Sequence, residues 1–315
     1  MNDRTLQFKI IDILLTLLMV LPIVCGMVLK VLVTPLSEGM DISGARILVT
    51  IPFPVQPLVI TDAQVNSWLV MISIVGLCLY LTHGIRGGVN CKRHLLATWI
   101  VEKTDSLVSS NMGSFFMEFS PFIGAILGLS AFSSLTSLLG LYPPTSDVNV
   151  VFGWSLLVFF IITHFKLKGG VWNYIKGFGD PIPVFAPFNV IGELSTPISM
   201  AFRHYGNVLS GVVVSALVAW ALQGLSSLVL GWMPGAFGQI PFLQVGIPAV
   251  LSIYFDIFSG CLQAFIFAML TMLYISTGFP EELWRERIKK REARRAAQIA
   301  KTANKKKINN TNIAV

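Results

Sequence analysis

Six long apolar runs set the frame for this chain. They lie near residues 10–33, 65–84, 114–140, 149–166, 189–223 and 247–277. About 20 apolar residues carry a helix across a hydrocarbon core of ~30 Å, and a backbone exposed to lipid must satisfy its own N–H and C=O groups. The runs therefore predict an all-α integral membrane protein with about six membrane helices. Composition agrees: 54% of the 315 residues are hydrophobic and only 12% charged. An ordinary soluble domain carries roughly twice that share of charge. The fifth run, at 189–223, would be roughly 50 Å long as one helix, so it must tilt, bend or divide. The last two helices are expected to be long and tilted. The first run exceeds the roughly 7–15-residue core of a signal peptide and reads as a retained membrane helix.

The net charge of +7 is confined to the end of the chain. Residues 281–315 hold 11 of the 23 Lys/Arg and 4 of the 16 acidic residues, which leaves the rest neutral. A basic tail is not a nucleic-acid-binding core. Cys25, Cys78, Cys91 and Cys261 show no ligand spacing, so no redox or metal role is expected. Loops 85–113 and 167–188 carry Lys and Arg, whereas 141–148 and 224–246 carry none and 34–64 only Arg46. By the positive-inside rule this alternation places both termini in the cytoplasm, and a bacterial plasma membrane is the expected location. Lys30 then falls near the outer end of the first helix, where it is expected to snorkel. Residues 92–110 read as an amphipathic helix on the inner surface. Pro52, Pro54 and Pro57 make Leu48–Ile60 an external extended segment. Residues 283–301 should continue as a charged helix. The expected organisation is an extra N-terminal helix and external segment (1–64), a membrane core (65–278) and a basic cytoplasmic tail (279–315).

Inside the spans, ionisable residues are expensive and mark function. Arg203 lies in the middle of the fifth run. Glu193, Thr196, Ser199, Arg203, Asn207 and Ser210 follow one another at steps of three or four, which keeps them on one helical face. In the sixth run Ser252, Asp256, Ser259 and Gln263 do the same. Such stripes either line an ion path or bind helices together by hydrogen bonds, and the serines alone favour the second reading. Arg203 and Asp256 also have the option of a structural ion pair. Between antiparallel helices Arg203 is expected to align better with Gln263.

The run Glu193-Leu-Ser-Thr-Pro-Ile-Ser-Met-Ala-Phe-Arg203-His-Tyr-Gly-Asn207 resembles the central signature of subunit a of rotary, F-type ATP synthases. Leu262-Gln263-Ala-Phe-Ile-Phe-Ala-Met-Leu-Thr-Met-Leu-Tyr-Ile-Ser276 resembles its last helix. Pro143-Pro-Thr-Ser-Asp147-Val-Asn149 and Lys166-Leu-Lys168-Gly-Gly resemble shorter blocks of the same family, so the likeness covers roughly 65–278. The resemblance implies an ion-translocating stator with two aqueous half-channels against a rotating ring of c subunits, Arg203 standing between them. Flow of H⁺ or Na⁺ turns the ring and drives ATP synthesis in partner subunits. Those partners are the c ring, the b subunits of the peripheral stalk and, indirectly, the catalytic head, with the lipid bilayer around them. No cofactor, metal or nucleic acid is implied, and no nucleotide chemistry in this chain.

By the same resemblance Gln263 is the last-helix partner of Arg203, and Asn207 belongs to the outer half-channel. The family usually has a carboxylate or histidine nine residues after the arginine, where this chain has Val212. Asp256, at the partner position, is then expected to carry the outer path alone. Glu193 lines the inner half-channel or is a helix-terminal acid held by the macrodipole. Ser199, Ser252 and Ser259 are further ion-path candidates. Asp147 and Asn149 read as N-cap groups, and His204 as packing. Two other functions compete: an independent ion channel or carrier, and an intramembrane hydrolase built on Ser210, for which the spans offer no well-placed base.

Overall fold

The computed structural model describes residues 3–33, 44–54, 57–85, 92–179, 182–230, 246–247, 250–251, 253–282, 284–286 and 289. The expected helix over 283–301 lies almost wholly outside them, as does Ser252. Among the described residues, six helices are long and apolar enough to cross a membrane: Gln7–Leu32, Asp62–Thr82, Ser114–Leu139, Val148–Leu167, Pro183–Val229 and Ile253–Gly278. The protein is a multi-pass, all-α membrane protein, with one small strand pair among the described residues.

Helix α1 (Asp3–Val33) is followed by strands β1 (Ile47–Ile51) and β2 (Leu58–Thr61), which pair antiparallel with Ile47 opposite Thr61 and Ile51 opposite Leu58. The segment read as extended is therefore a two-stranded ribbon. Its prolines sit in the connection between the strands, where no ladder N–H is needed. β2 runs directly into α2 (Asp62–Thr82), whose first turn is capped by Thr61 accepting from the Gln64 N–H at 3.4 Å.

α1 packs on α2 at backbone contact. A Cβ added at Gly76 would lie 2.9 Å from the Met19 nitrogen, so only glycine permits this approach. At the far end of the pair, Asp12 Oδ1 lies 2.8 Å from both His83 Nδ1 and Arg93 Nη1. Phe8 stacks on His83 at 4.4 Å between ring centres. Lys30 is exposed and donates to the Gly140 carbonyl.

α3 (Lys92–Met112) buries Val108 and Met112 while leaving Leu95, Trp99 and Val101 exposed, so its apolar side chains lie on several sides and not on the single face expected of an amphipathic helix. The Ser120 hydroxyl, at the start of α4 (Ser120–Leu135), donates to Asp105 of α3. α5 is Val148–Leu167, α6 Val171–Gly177 and α7 Ala186–Leu230. The last span opens with a π-helical segment, Ile253–Ser259, and continues as α8 (Gly260–Gly278). At 45 residues, one unbroken helix through Pro197, α7 is longer than the run seen in the sequence. It measures roughly 68 Å.

The chain forms two compact units. The larger comprises Met1–Val158 and Ser195–Leu273, and the smaller Phe159–Leu194 and Tyr274–Val315. In the larger, Ile123, Val151, Val158, Phe267 and Met272 are fully buried, and His204 lies among them. Buried Ser130, Ser133 and Ser134 give α4 a small-residue face. It lets helices approach so closely that a Cβ at Gly260 would lie 2.8 Å from that of Ser134. In the smaller, Phe165 meets Phe279 edge-on at 6.0 Å.

Candidate functional site

The two polar stripes meet across α7 and the last span. Ser259 Oγ donates to Asn207 Oδ1 at 2.9 Å, and Asn207 Nδ2 donates to the Ser259 carbonyl at 3.3 Å. One turn further along α7, a Cβ at Gly211 would touch the Phe255 ring at 3.1 Å. These two pairings fix an antiparallel register. One turn the other way, the same register sets Arg203 level with Gln263, the alignment expected from the spans. Asn207 and Ser259 therefore join the helices directly, and the site is braced a single turn from its arginine.

Neighbouring residues on α7 face opposite ways. Arg203 is exposed, as are Ser199 and Ser210 on its stripe. Among the described residues, the Arg203 side chain makes no hydrogen bond or ion pair. His204 is completely buried, with Nε2 3.4 Å from Ser130 Oγ and its ring edge-on to Phe267 (5.7 Å) and Trp154 (6.2 Å). The 100° step of the helix separates the exposed cation from the packing histidine. Gln263 is buried, 5% exposed.

Asp256 is half-buried within the π-helical segment. The sequence stripe had assumed 3.6 residues per turn. An i→i+5 segment carries more residues per turn and rotates Asp256 away from the face shared with Gln263. Such segments are rare and concentrate at functional sites. Periodicity gave no sign of this one.

Glu193 is held in a way the sequence did not reveal. Its Oε1 accepts from Lys166 Nζ at 2.8 Å and from the Tyr174 hydroxyl at 2.9 Å. It is the eighth residue of α7, beyond the first turn where the macrodipole acts, so the pair and the phenol fix this carboxylate. Burial, and then the hydrogen bond and charge of Glu193, push the Tyr174 phenol up to about 12. A raised phenol favours the protonated form in the fold. Its stabilisation is complete below the ordinary value near 10 and is lost as pH rises through 12. Alkaline titration followed by tyrosinate absorbance should show a late-ionising component. Tyr174→Phe should remove part of it and leave the part due to Tyr142, which burial also raises to about 12.

Asp147 is the N-cap of α5, as read from the sequence. Its Oδ1 accepts from the Asn149 N–H at 2.9 Å, and its Oδ2 from Thr61 Oγ1 at 3.0 Å. Beside it, a cavity of about 460 Å³ reaches from Arg46 and Asp62 to Tyr205, Leu209 and Val212 on α7.

A multi-pass helical protein with an exposed arginine deep in a span, beside polar residues arrayed on one helix pair, is of the ion-translocating class. The family described as ATP synthase A chain matches residues 64–276, and the chain belongs to it. ATP synthase subunit a of Acidothermus cellulolyticus is 30% identical over 224 residues, spanning 68% of this chain and 74% of that one. The sodium-ion-specific ATP synthase subunit a of Propionigenium modestum is 27% identical over 234 residues, 69% and 73%. That of Bacillus pumilus is 29% identical over 195 residues, 58% and 78%. The protein is an ion-translocating stator subunit of an ATP synthase. It acts as a component of that complex, and the nucleotide chemistry is not its own.

Proposed function

We propose that the exposed stripe of α7 faces a rotating ring of c subunits and that Arg203 separates two aqueous half-channels there. The observation that carries the proposal is the exposure of Arg203, with no hydrogen bond or ion pair inside the described chain. A bare guanidinium in hydrocarbon is costly, so a group of complementary charge must come from outside the chain. A carboxylate moving on the ring is such a group. The permanently charged guanidinium favours the ionised carboxylate as it passes and blocks direct proton leak between the half-channels. Asn207 and Asp256 belong to the outer half-channel, Glu193 to the inner, and Gln263 supports the arginine at its own level. Ser199 and Ser259 complete the polar lining. The b subunits and, through them, the catalytic head hold the stator still.

We assign both termini to the cytoplasmic side of a bacterial plasma membrane, a reading that the basic loops and tail support. The core is 65–278, flanked by the first helix and external ribbon (1–64) and the basic tail (279–315). Cysteine cross-linking tests the ring-facing surface. In a chain whose native cysteines are replaced, Ser199→Cys or Ser210→Cys is expected to form a disulfide with a cysteine on the outer helix of subunit c. ATP hydrolysis by the coupled complex should then stop. Absence of cross-links at both positions in an assembled complex would remove the ring from this face.

A further inference from the structure

We propose that Asp62 is a proton-relay carboxylate on the outer access path, serving in place of the acid or histidine that this chain lacks at Val212. The inference rests on the functional reading above and adds a residue to it. Val212 cannot bind a proton, yet it lines the 460 Å³ cavity together with Lys30, Arg46, Asp62, Tyr142 and Tyr205. Asp62 is the carboxylate among the lining residues. It lies upstream of the matched region, 64–276, so the family pattern assigns it nothing. The ribbon and α2 bring it to the cavity whose α7 wall holds the apolar substitution.

The charge arrangement suits a relay. Asp62 Oδ1 accepts from the Arg46 N–H at 3.1 Å, which fixes the carboxylate at the cavity wall. Arg46 and Asp147 bring charge of opposite sign to bear on the carboxylate. Lys30 is itself engaged with the Gly140 carbonyl. A space of this size has room for water, and Asp62, Arg46, Asn66 and Tyr142 offer it polar partners. A proton delivered by water on the ribbon side adds to a carboxylate oxygen, forming one O–H bond. Breaking that bond towards water on the α7 side restores the anion, so charge and protons balance over the step.

The competing role is structural: an acid at a helix start that pins the ribbon through Arg46. Asparagine preserves that hydrogen-bond acceptor and removes only the titration. In inverted vesicles with the intact complex, Asp62→Asn is expected to lower ATP-driven proton pumping about tenfold or more. Passive proton flux through the head-stripped membrane sector should fall alike. Asp62→Glu should stay near wild type, and the double change Asp62→Asn with Val212→Glu should recover flux, because the acid re-enters the same cavity from α7. Wild-type flux in assembled Asp62→Asn would overturn the proposal. An independent arm avoids altering Asp62. Val212→Cys, in a chain with its native cysteines replaced, should be labelled from the outer side by a membrane-impermeant thiol reagent and lose pumping on labelling. No labelling would overturn the proposal as well. Loss of pumping in Arg203→Ala alongside normal Asp62→Asn would sink Asp62 alone and leave the stator reading standing.

Discussion

Replacing Arg203 with alanine is expected to abolish ATP-driven ion pumping in inverted vesicles while the complex still assembles. Assembly should survive because Arg203 is exposed and no side chain of the described residues depends on it for a hydrogen bond or ion pair. Truncation therefore leaves no orphaned partner behind, the usual source of large destabilisation at polar sites. The loss is confined to translocation. On the function proposed above, nothing at that level would then favour the ionised ring carboxylate or keep the half-channels electrically apart. Coupled pumping should fall by at least about a hundredfold, the scale on which removal of one preorganised electrostatic group acts. Passive leak through the membrane sector should rise at the same time. Normal pumping by the assembled variant would return the stripe on α7 to helix packing.

The second large effect concerns the helix that lies outside the family match. Gly76→Leu should strip α1 from α2. Even the Cβ would approach the Met19 nitrogen at 2.9 Å and the Leu18 carbonyl carbon at 3.0 Å. These are backbone atoms and cannot rotate aside, so the helices must separate. Overpacking of a close contact costs about 1–3 kcal/mol. Separation also strains the cluster of Asp12, His83 and Arg93 at the other end of the pair. The expected readout is a lower midpoint of thermal unfolding in detergent, with Gly76→Ala shifted the same way by less. Gly128→Ala is the control, since its Cβ meets nothing within 4 Å. Equal midpoints for Gly76→Leu and wild type would show that α1 is not seated as described.

The Lys166–Glu193–Tyr174 cluster changes how Glu193 is understood. A carboxylate accepting from both an ammonium and a phenol is positioned, and its orientation is set by α5 and α6 as well as by its own helix. The two basic positions in the block Lys166-Leu-Lys168 were visible in the sequence as topology signals. That one of them reaches Glu193, 27 residues on, was not, because the loop between them has no periodicity to fix where its ends return.

The sequence by itself determined the class of this protein. Spans of 20 or more apolar residues admit one solution in lipid, a helix that satisfies its own backbone, and this needs no knowledge of neighbours. A mid-span arginine with polar residues at three- and four-residue steps is likewise a local pattern, and it located Arg203, Asn207 and Gln263, while the family followed from the resemblance of the runs 193–207 and 262–276. The N-cap at Asp147 and the packing role of His204 were legible for the same reason. Tertiary structure alone decided the rest. The pairing of Asn207 with Ser259 depends on which helices are adjacent. The π-helical segment around Asp256 breaks the 3.6-residue period by which faces are read. The single 45-residue α7 resolves a choice that length left open. The cavity that sets Asp62 opposite Val212 joins residues 150 positions apart in the chain. Hydropathy and helical period act over a few turns, whereas the partner of a polar group in a membrane is chosen by the packing of distant helices, where close contact and hydrogen bonding select it.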